Sequence, residues 1–167
     1  MTMRPIRIIG DPVLRTPSEP VTSFDAALRK LVTDLMDTLL GAPGRAGVAA
    51  PQIGISAQVF VYDADGQRGH LINPTLELST ETQDDDEGCL SVPGFYFPTP
   101  RAMHATAHGV DQYGEPLTIT GSGFLARALQ HETDHLAGRL YVDTLRGDTR
   151  RRALREIRAG RFATPDR

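Results

Sequence analysis

Residues 123–138 read Gly-Phe-Leu-Ala-Arg-Ala-Leu-Gln-His-Glu-Thr-Asp-His-Leu-Ala-Gly. The stretch predicts a helix over 123–137, which Gly138 can terminate. Phe124, Leu125, Ala128, Leu129 and Leu136 make much of it apolar, which places it inside the fold. His131 and His135 are four residues apart, so a helix carries both imidazoles on one face, where they can clamp one metal ion. Glu132, beside the first histidine, can act as a general base on a water at that ion. Two ligands are too few, because a catalytic site of this kind normally has three protein ligands and one open position. Downstream, Tyr141 stands where metzincins carry their last histidine, and Asp143 remains as an oxygen ligand. Upstream stands Cys89 in Glu87-Gly-Cys-Leu-Ser91, the only cysteine of the chain. A lone cysteine is more often a small buried hydrophobe, but one flanked by glycine just past an acidic run reads as a loop residue placed for a purpose.

Working outward, residues 1–22 are extended, with Pro5, Pro12, Pro17 and Pro20 opposing helix. Leu28, Leu31, Val32, Leu35, Met36 and Leu39 follow helical spacing and predict a helix over 24–40, capped by Thr22 or Ser23 and ended by Gly41. Residues 41–54 hold four glycines and two prolines, a loop whose backbone must come close to something. Strands are predicted at 58–62, 70–73 and 76–82, and at 103–110 and 116–120 around a turn at Asp111–Gly114. An arginine-rich helix over 148–160 has Leu154 and Ile157 as its inward face. Helix, antiparallel strands, helix is an α+β order with no βαβ alternation. The strands are expected to pack around the central metal-binding helix, flanked by an N-terminal and a C-terminal helix.

The chain has 167 residues, 40% hydrophobic and 23% charged, with no tryptophan. That describes a single globular domain, here 1–167, whose core rests on Leu, Val, Ile and Ala. A net charge of −3 gives no global reason to expect nucleic-acid binding. One cysteine excludes an intramolecular disulfide and accords with a reducing cytoplasm. Neither a signal peptide nor a membrane-spanning run is expected, so the default is a cytoplasmic monomer.

Three motifs together resemble the peptide deformylase family: Gly47-Val-Ala-Ala-Pro-Gln52, Glu87-Gly-Cys-Leu-Ser91 and His131-Glu-Thr-Asp-His135. The likeness extends from Asp11-Pro-Val-Leu-Arg15 to the segment past His135. It implies removal of the formyl group from the N-terminal formyl-methionine of nascent proteins. By that resemblance Cys89, His131 and His135 bind one divalent metal, typically Fe2+, with Zn2+, Ni2+ or Co2+ able to substitute. Glu132 is then base and acid, the Gln52 amide and the Leu90 backbone N–H stabilise the oxyanion, and Gly47 lets substrate backbone pair alongside. The thiolate and two imidazoles do not themselves choose among these ions.

Several features depart from the pattern or carry weaker signals. The first loop reads Arg45-Ala-Gly47 where the family begins Gly-x-Gly, and Ala46 can widen the groove. Arg127, four residues before His131, is expected to reach the rim with its charge, or else to contact substrate. Asp84, Asp85 and Asp86 are expected in a solvated turn, and Glu87 to pair with Arg101 and hold the cysteine loop. His70, His104 and His108 read as structural or surface histidines. Arg146, Arg150, Arg151, Arg152, Arg155, Arg158 and Arg161 form a solvated basic helix or, by family analogy, a dock for the ribosome. Two other readings stay open: a zincin-type endopeptidase using Asp143, and a metal-free partner-binding relative.

Overall fold

The computed structural model describes residues 2–160. Antiparallel strands and three α-helices make a mixed fold. Helix α1 (Ala26–Leu40) is capped by Asp25, whose carboxylate accepts from Leu28 N at 3.0 Å. The cap is thus not Thr22 or Ser23. Asp25 stands directly before the first helical turn, where a short side-chain oxygen meets the free N–H groups.

Five strands form one antiparallel sheet in the order β1 (Gly47–Ala49), β2 (Val59–Ala64), β3 (Gln67–Leu78), β6 (His104–Val110), β7 (Pro116–Ser122). Strand β2 shows how the sheet is covered. Side chains alternate across a strand, so Val59 and Val61 pack with Leu28, Val32, Leu35 and Leu39 of α1. Phe60, Tyr62 and Ala64 face the other way and pack with Leu125, Ala126 and Leu129 of α2 (Gly123–Leu136). Each fully buried large apolar side chain contributes about 1.5–3 kcal/mol, so these two layers supply much of the driving force. The predicted strands at 70–73 and 76–82 resolve differently: one long β3 runs to Leu78, and a new strand starts at Thr82.

That strand, β4 (Thr82–Cys89), pairs only with β5 (Val92–Ala102) as a two-stranded ribbon. Asp84, Asp85 and Asp86 are exposed but lie in β4, opposite Pro100, Thr99 and Pro98, rather than in a turn. Strand β5 carries Pro93, Pro98 and Pro100, which hide it from propensity reading. Pro98 and Pro100 are two apart, so their missing N–H groups fall on one edge and leave those of Phe97, Thr99 and Arg101 to the ladder. The ribbon turns at Leu90–Ser91, which sets Cys89 at its tip, and the register shifts between Gly88 and Cys89.

Helix α2 touches both the sheet and the ribbon. Asp65 accepts from Leu125 N at 3.1 Å. Gln130 accepts from Ala102 N and donates to Ala102 O, both at 3.0 Å. At the far end Gly138, with φ +76°, turns the chain out of the helix, and a Cβ there would stand 2.8 Å from Arg15 O. Helix α3 (Gly147–Arg158) rests on the ribbon through Ala153 and Ile157, with Leu154 half-buried beside them.

Candidate metal centre and its cavity

Three candidate ligand atoms, one each from Cys89, His131 and His135, lie within 4.8 Å of one another. Cys89 Sγ is 3.4 Å from His135 Nε2, which is 3.2 Å from His131 Nε2. The ribbon tip brings the sulfur, and one turn of α2 brings both rings. A tetrahedral centre with ordinary metal–sulfur and metal–nitrogen bonds separates its ligands by about 3.3–3.6 Å. The donor set therefore fits a metal ion. Two facing Nε2 lone pairs and a sulfur can share a proton only in part, and a cation satisfies all three.

His131 is oriented from behind. Its Nδ1 donates to Glu87 Oε2 at 2.7 Å, which commits Nε2 to the cluster, as outer carboxylates commonly do for metal-binding histidines. The Tyr141 ring lies 6.0 Å away, near-parallel at 24°. Burial pulls the His131 pKa down, but the Cys89 charge and its hydrogen bond, with Glu87, drive it well above the ordinary value. Burial and the His131 charge push His135 well below it, and His135 Nδ1 has no partner among the described residues.

Glu87 is the hub of a buried charge network. Arg101 donates Nε to Oε1 at 3.0 Å and Nη2 to Oε2 at 2.7 Å, and donates Nη1 to Asp134 at 2.7 Å. Arg127 donates Nη1 to Glu87 Oε1 at 2.8 Å and to Thr99 O at 2.7 Å. Burial alone would raise the Glu87 pKa; the hydrogen bonds and charges of His131 and Arg101 hold it well below the ordinary carboxylate range. The pairing of Glu87 with Arg101 is present as the sequence suggested. Arg127 is a correction: it does not reach the rim but is 4% exposed. Its charge is matched by Glu87 of β4, 40 residues away in sequence, which no local pattern displays.

Glu132 is buried, and burial, helped by Glu87 and Asp134 against the opposing pull of His131, pushes its pKa up to about 7. Its Oε2 has no hydrogen-bond partner among the described residues. A Cβ on Gly47 would stand 2.5 Å from Glu132 Oε1, so glycine is what lets β1 pass this carboxylate. Gln52 Oε1 accepts from Ala49 N at 3.0 Å; its Nε2 donates to Ser91 Oγ at 3.1 Å and lies 3.8 Å from Cys89 Sγ. Ser91 has no role in the sequence reading of its motif, yet it anchors Gln52 and donates its N–H to Cys89 Sγ at 3.4 Å. A cavity of about 400 Å³ opens here, lined among others by Arg45, Gly47, Gln52, Leu90, Arg127 and Glu132. Arg45 donates to Thr38 O, tying the loop to the end of α1.

Asp143 lies outside the cluster. It accepts from Leu140 N at 2.9 Å and pairs with Arg15. His104 and His108 pair on the surface with Glu81 and Glu77, and His70 accepts from Gln112 N.

The fold and site place the protein in a class: an HExxH helix with a candidate mononuclear Cys-His-His centre beside a cavity. The sequence model of the polypeptide deformylase family matches residues 3–151. A peptide deformylase of Acidothermus cellulolyticus is 57% identical over 163 residues, covering 98% of this chain and 90% of that protein. The crystal structure of a peptide deformylase from Legionella pneumophila superposes with a TM-score of 0.84 at 40% identity, covering 98% of this chain and 99% of that one. That of peptide deformylase from Thermus thermophilus gives 0.88 at 36% identity, with 94% of each chain covered. The chain belongs to the peptide deformylase family.

Proposed function

We propose that residues 1–167 form one catalytic domain, a metal-dependent hydrolase that removes the formyl group from the N-terminal formyl-methionine of nascent peptides and releases formate. The observation that carries this is the convergence of Cys89 Sγ, His131 Nε2 and His135 Nε2 beside the buried Glu132. Helix α2 is then the central metal-binding helix, and the three atoms are the ligands of one divalent ion. We assign Fe2+, with Zn2+, Ni2+ or Co2+ compatible with the same donors.

When bound, the ion activates water and polarises the formyl carbonyl. Glu132 takes the proton of the attacking water on its carboxylate and passes it to the leaving amine nitrogen. Burial favours the protonated carboxyl, which helps Glu132 hold the proton between the two halves of that exchange, and Gly47 keeps the space it needs. The Gln52 side-chain amide, fixed through Ala49 and Ser91, and the Leu90 backbone N–H donate to the oxyanion as it forms. One such donor is worth about 3 kcal/mol. The backbone at Gly47 pairs with the extended peptide.

The exposed arginines of α3 (Arg146 before it, then Arg150, Arg151, Arg152, Arg155 and Arg158) support salt-sensitive docking to ribosomal RNA phosphates; Arg161 lies outside the described residues. Among the described residues no helix is long and apolar enough to cross a membrane. We assign the protein to the cytoplasm as a monomer. Chelation tests the reading: formate release from formyl-Met-Ala-Ser should stop when the metal is stripped and return when Fe2+ is added anaerobically. Release that persists in stripped protein would end it.

A further inference from the structure

Two arginines line the cavity, and only one has its charge matched. Arg127 is committed to Glu87 and to Thr99 O. Arg45 donates Nη1 to the Thr38 carbonyl at the end of α1 and pairs with no carboxylate among the described residues. Its Nε and Nη2 have no partner there either, and neither is buried, so both meet solvent. The bond to Thr38 O restrains an otherwise free side chain, so less ordering is left for a ligand to impose. Asp86, the exposed acid of the same cavity, makes no ion pair with Arg45 among the described residues, which leaves the guanidinium available.

The strand that follows Arg45 sets its direction. Val48 packs with α1, whereas Ala49 and the Cβ position of Gly47 face α2, Gly47 directly at Glu132. The extended chain continues backwards past Gly47, because Asp63 N donates to Ala46 O at 2.8 Å, one step beyond the Gly47–Tyr62 pair. Side chains two apart share a side, so Arg45 leaves the strand on the side of Gly47 and Glu132. It stands about 7 Å further from the cluster.

β1 pairs only with β2 and is an edge strand of its sheet, where an extended peptide can add. Gln52, just past β1, lies 3.8 Å from Cys89 Sγ, so the cluster is at the C-terminal end of β1. A peptide with its formyl group at the cluster therefore runs antiparallel to β1, towards Arg45. With the first residue beside Gly47, the third comes beside Arg45, and directly opposed residues of an antiparallel pair project to the same face.

We propose that Arg45 is a specificity-determining residue, which faces the third side chain of the formyl-peptide and favours an acidic one there over a basic one. This inference rests on the hydrolase reading above and on the pairing of substrate backbone at Gly47.

The test measures kcat/KM for formyl-Met-Ala-Asp, formyl-Met-Ala-Lys and formyl-Met-Ala-Ser, all as C-terminal amides so that the third side chain carries the only charge. The proteins are wild type, Arg45→Gln and Arg45→Glu, with metal content read on every sample. Loss of the bond to Thr38 O slows all three peptides alike, so the Asp-to-Lys ratio reads charge. Wild type should favour Asp roughly fivefold at low salt, and the preference should shrink as salt is added. Arg45→Gln should bring the ratio near one and Arg45→Glu should invert it. A wild type that favours Lys, or treats the two within about twofold at low salt, would overturn the proposal, and that comparison needs no variant to fold. So would a metal-loaded Arg45→Gln that keeps the wild-type ratio. Equal discrimination with the charges moved to the second residue would also overturn it, since that residue projects to the opposite face. No formate from any of these peptides with metal-loaded wild type is a separate result, which defeats the hydrolase reading and this inference with it.

Discussion

Helices α2 and α3 both carry arginine, and the fold treats them in opposite ways. Arg127 of α2 is buried against Glu87 of β4 and the Thr99 carbonyl of β5. Arg150, Arg151 and Arg152 of α3 are exposed, and the one fully buried side chain of that helix is Ala153. The α3 pairs, Arg151 with Asp148 and Arg152 with Glu156, lie within the helix and in water. Such pairs contribute about 0–1 kcal/mol because solvent screens them. The α2 network is different in kind. Its charges have left water, so each must be matched, and the matching fixes where His131 points. Buried charge in this molecule sets geometry at the cluster; exposed charge leaves α3 available to a partner.

This contrast can be sharpened at several points. The largest effect should come from Cys89→Ala, which removes the candidate ligand that β4 brings to α2. Metal should be lost together with activity, whereas Asp143→Ala should keep both, as read by metal analysis of purified protein. Retained metal in the cysteine variant would break the assignment. Next comes Glu87→Gln. It leaves two buried guanidinium groups short of their countercharge, and we expect a loss of about 3–5 kcal/mol in denaturant unfolding. Metal affinity should weaken roughly 10–100-fold as His131 loses its orienting carboxylate. Unchanged stability there would erase the distinction between the two helices. The smallest effect is expected for Arg151→Ala, which should leave the melting temperature and formate release where they are. A clear drop in either would mean that Arg151 does more than pair with Asp148 in water.

Much of this architecture is readable from the sequence, for identifiable reasons. The leucine spacing of α1 and the apolar run with its HETDH segment in α2 are local signals, and so is the turn at Asp111–Gly114, where Gly114 has φ +84°. The residues singled out as ligands converge because helical spacing fixes two of them and a hairpin tip delivers the third. Strand β5 is hidden because its three prolines argue against a strand, and only pairing with β4 makes them tolerable. The acidic run reads as a turn by composition, although exposure alone, not chain reversal, is what Asp84–Asp86 require. The fate of Arg127 is set by Glu87 and Thr99, 40 and 28 residues away. The same holds for Ser91 and Gln52, which meet across 39 residues.

The central claim is that Glu132 moves the proton at a metal centre built from Cys89, His131 and His135. The most direct test is formate release from formyl-Met-Ala-Ser by anaerobically purified Glu132→Gln beside wild type, with metal content measured on both. The substitution keeps the shape of the side chain and removes its basicity. The account predicts full metal occupancy in both proteins and a loss of about 100- to 10,000-fold in turnover for the variant. A metal-loaded variant that turns over like wild type would contradict it.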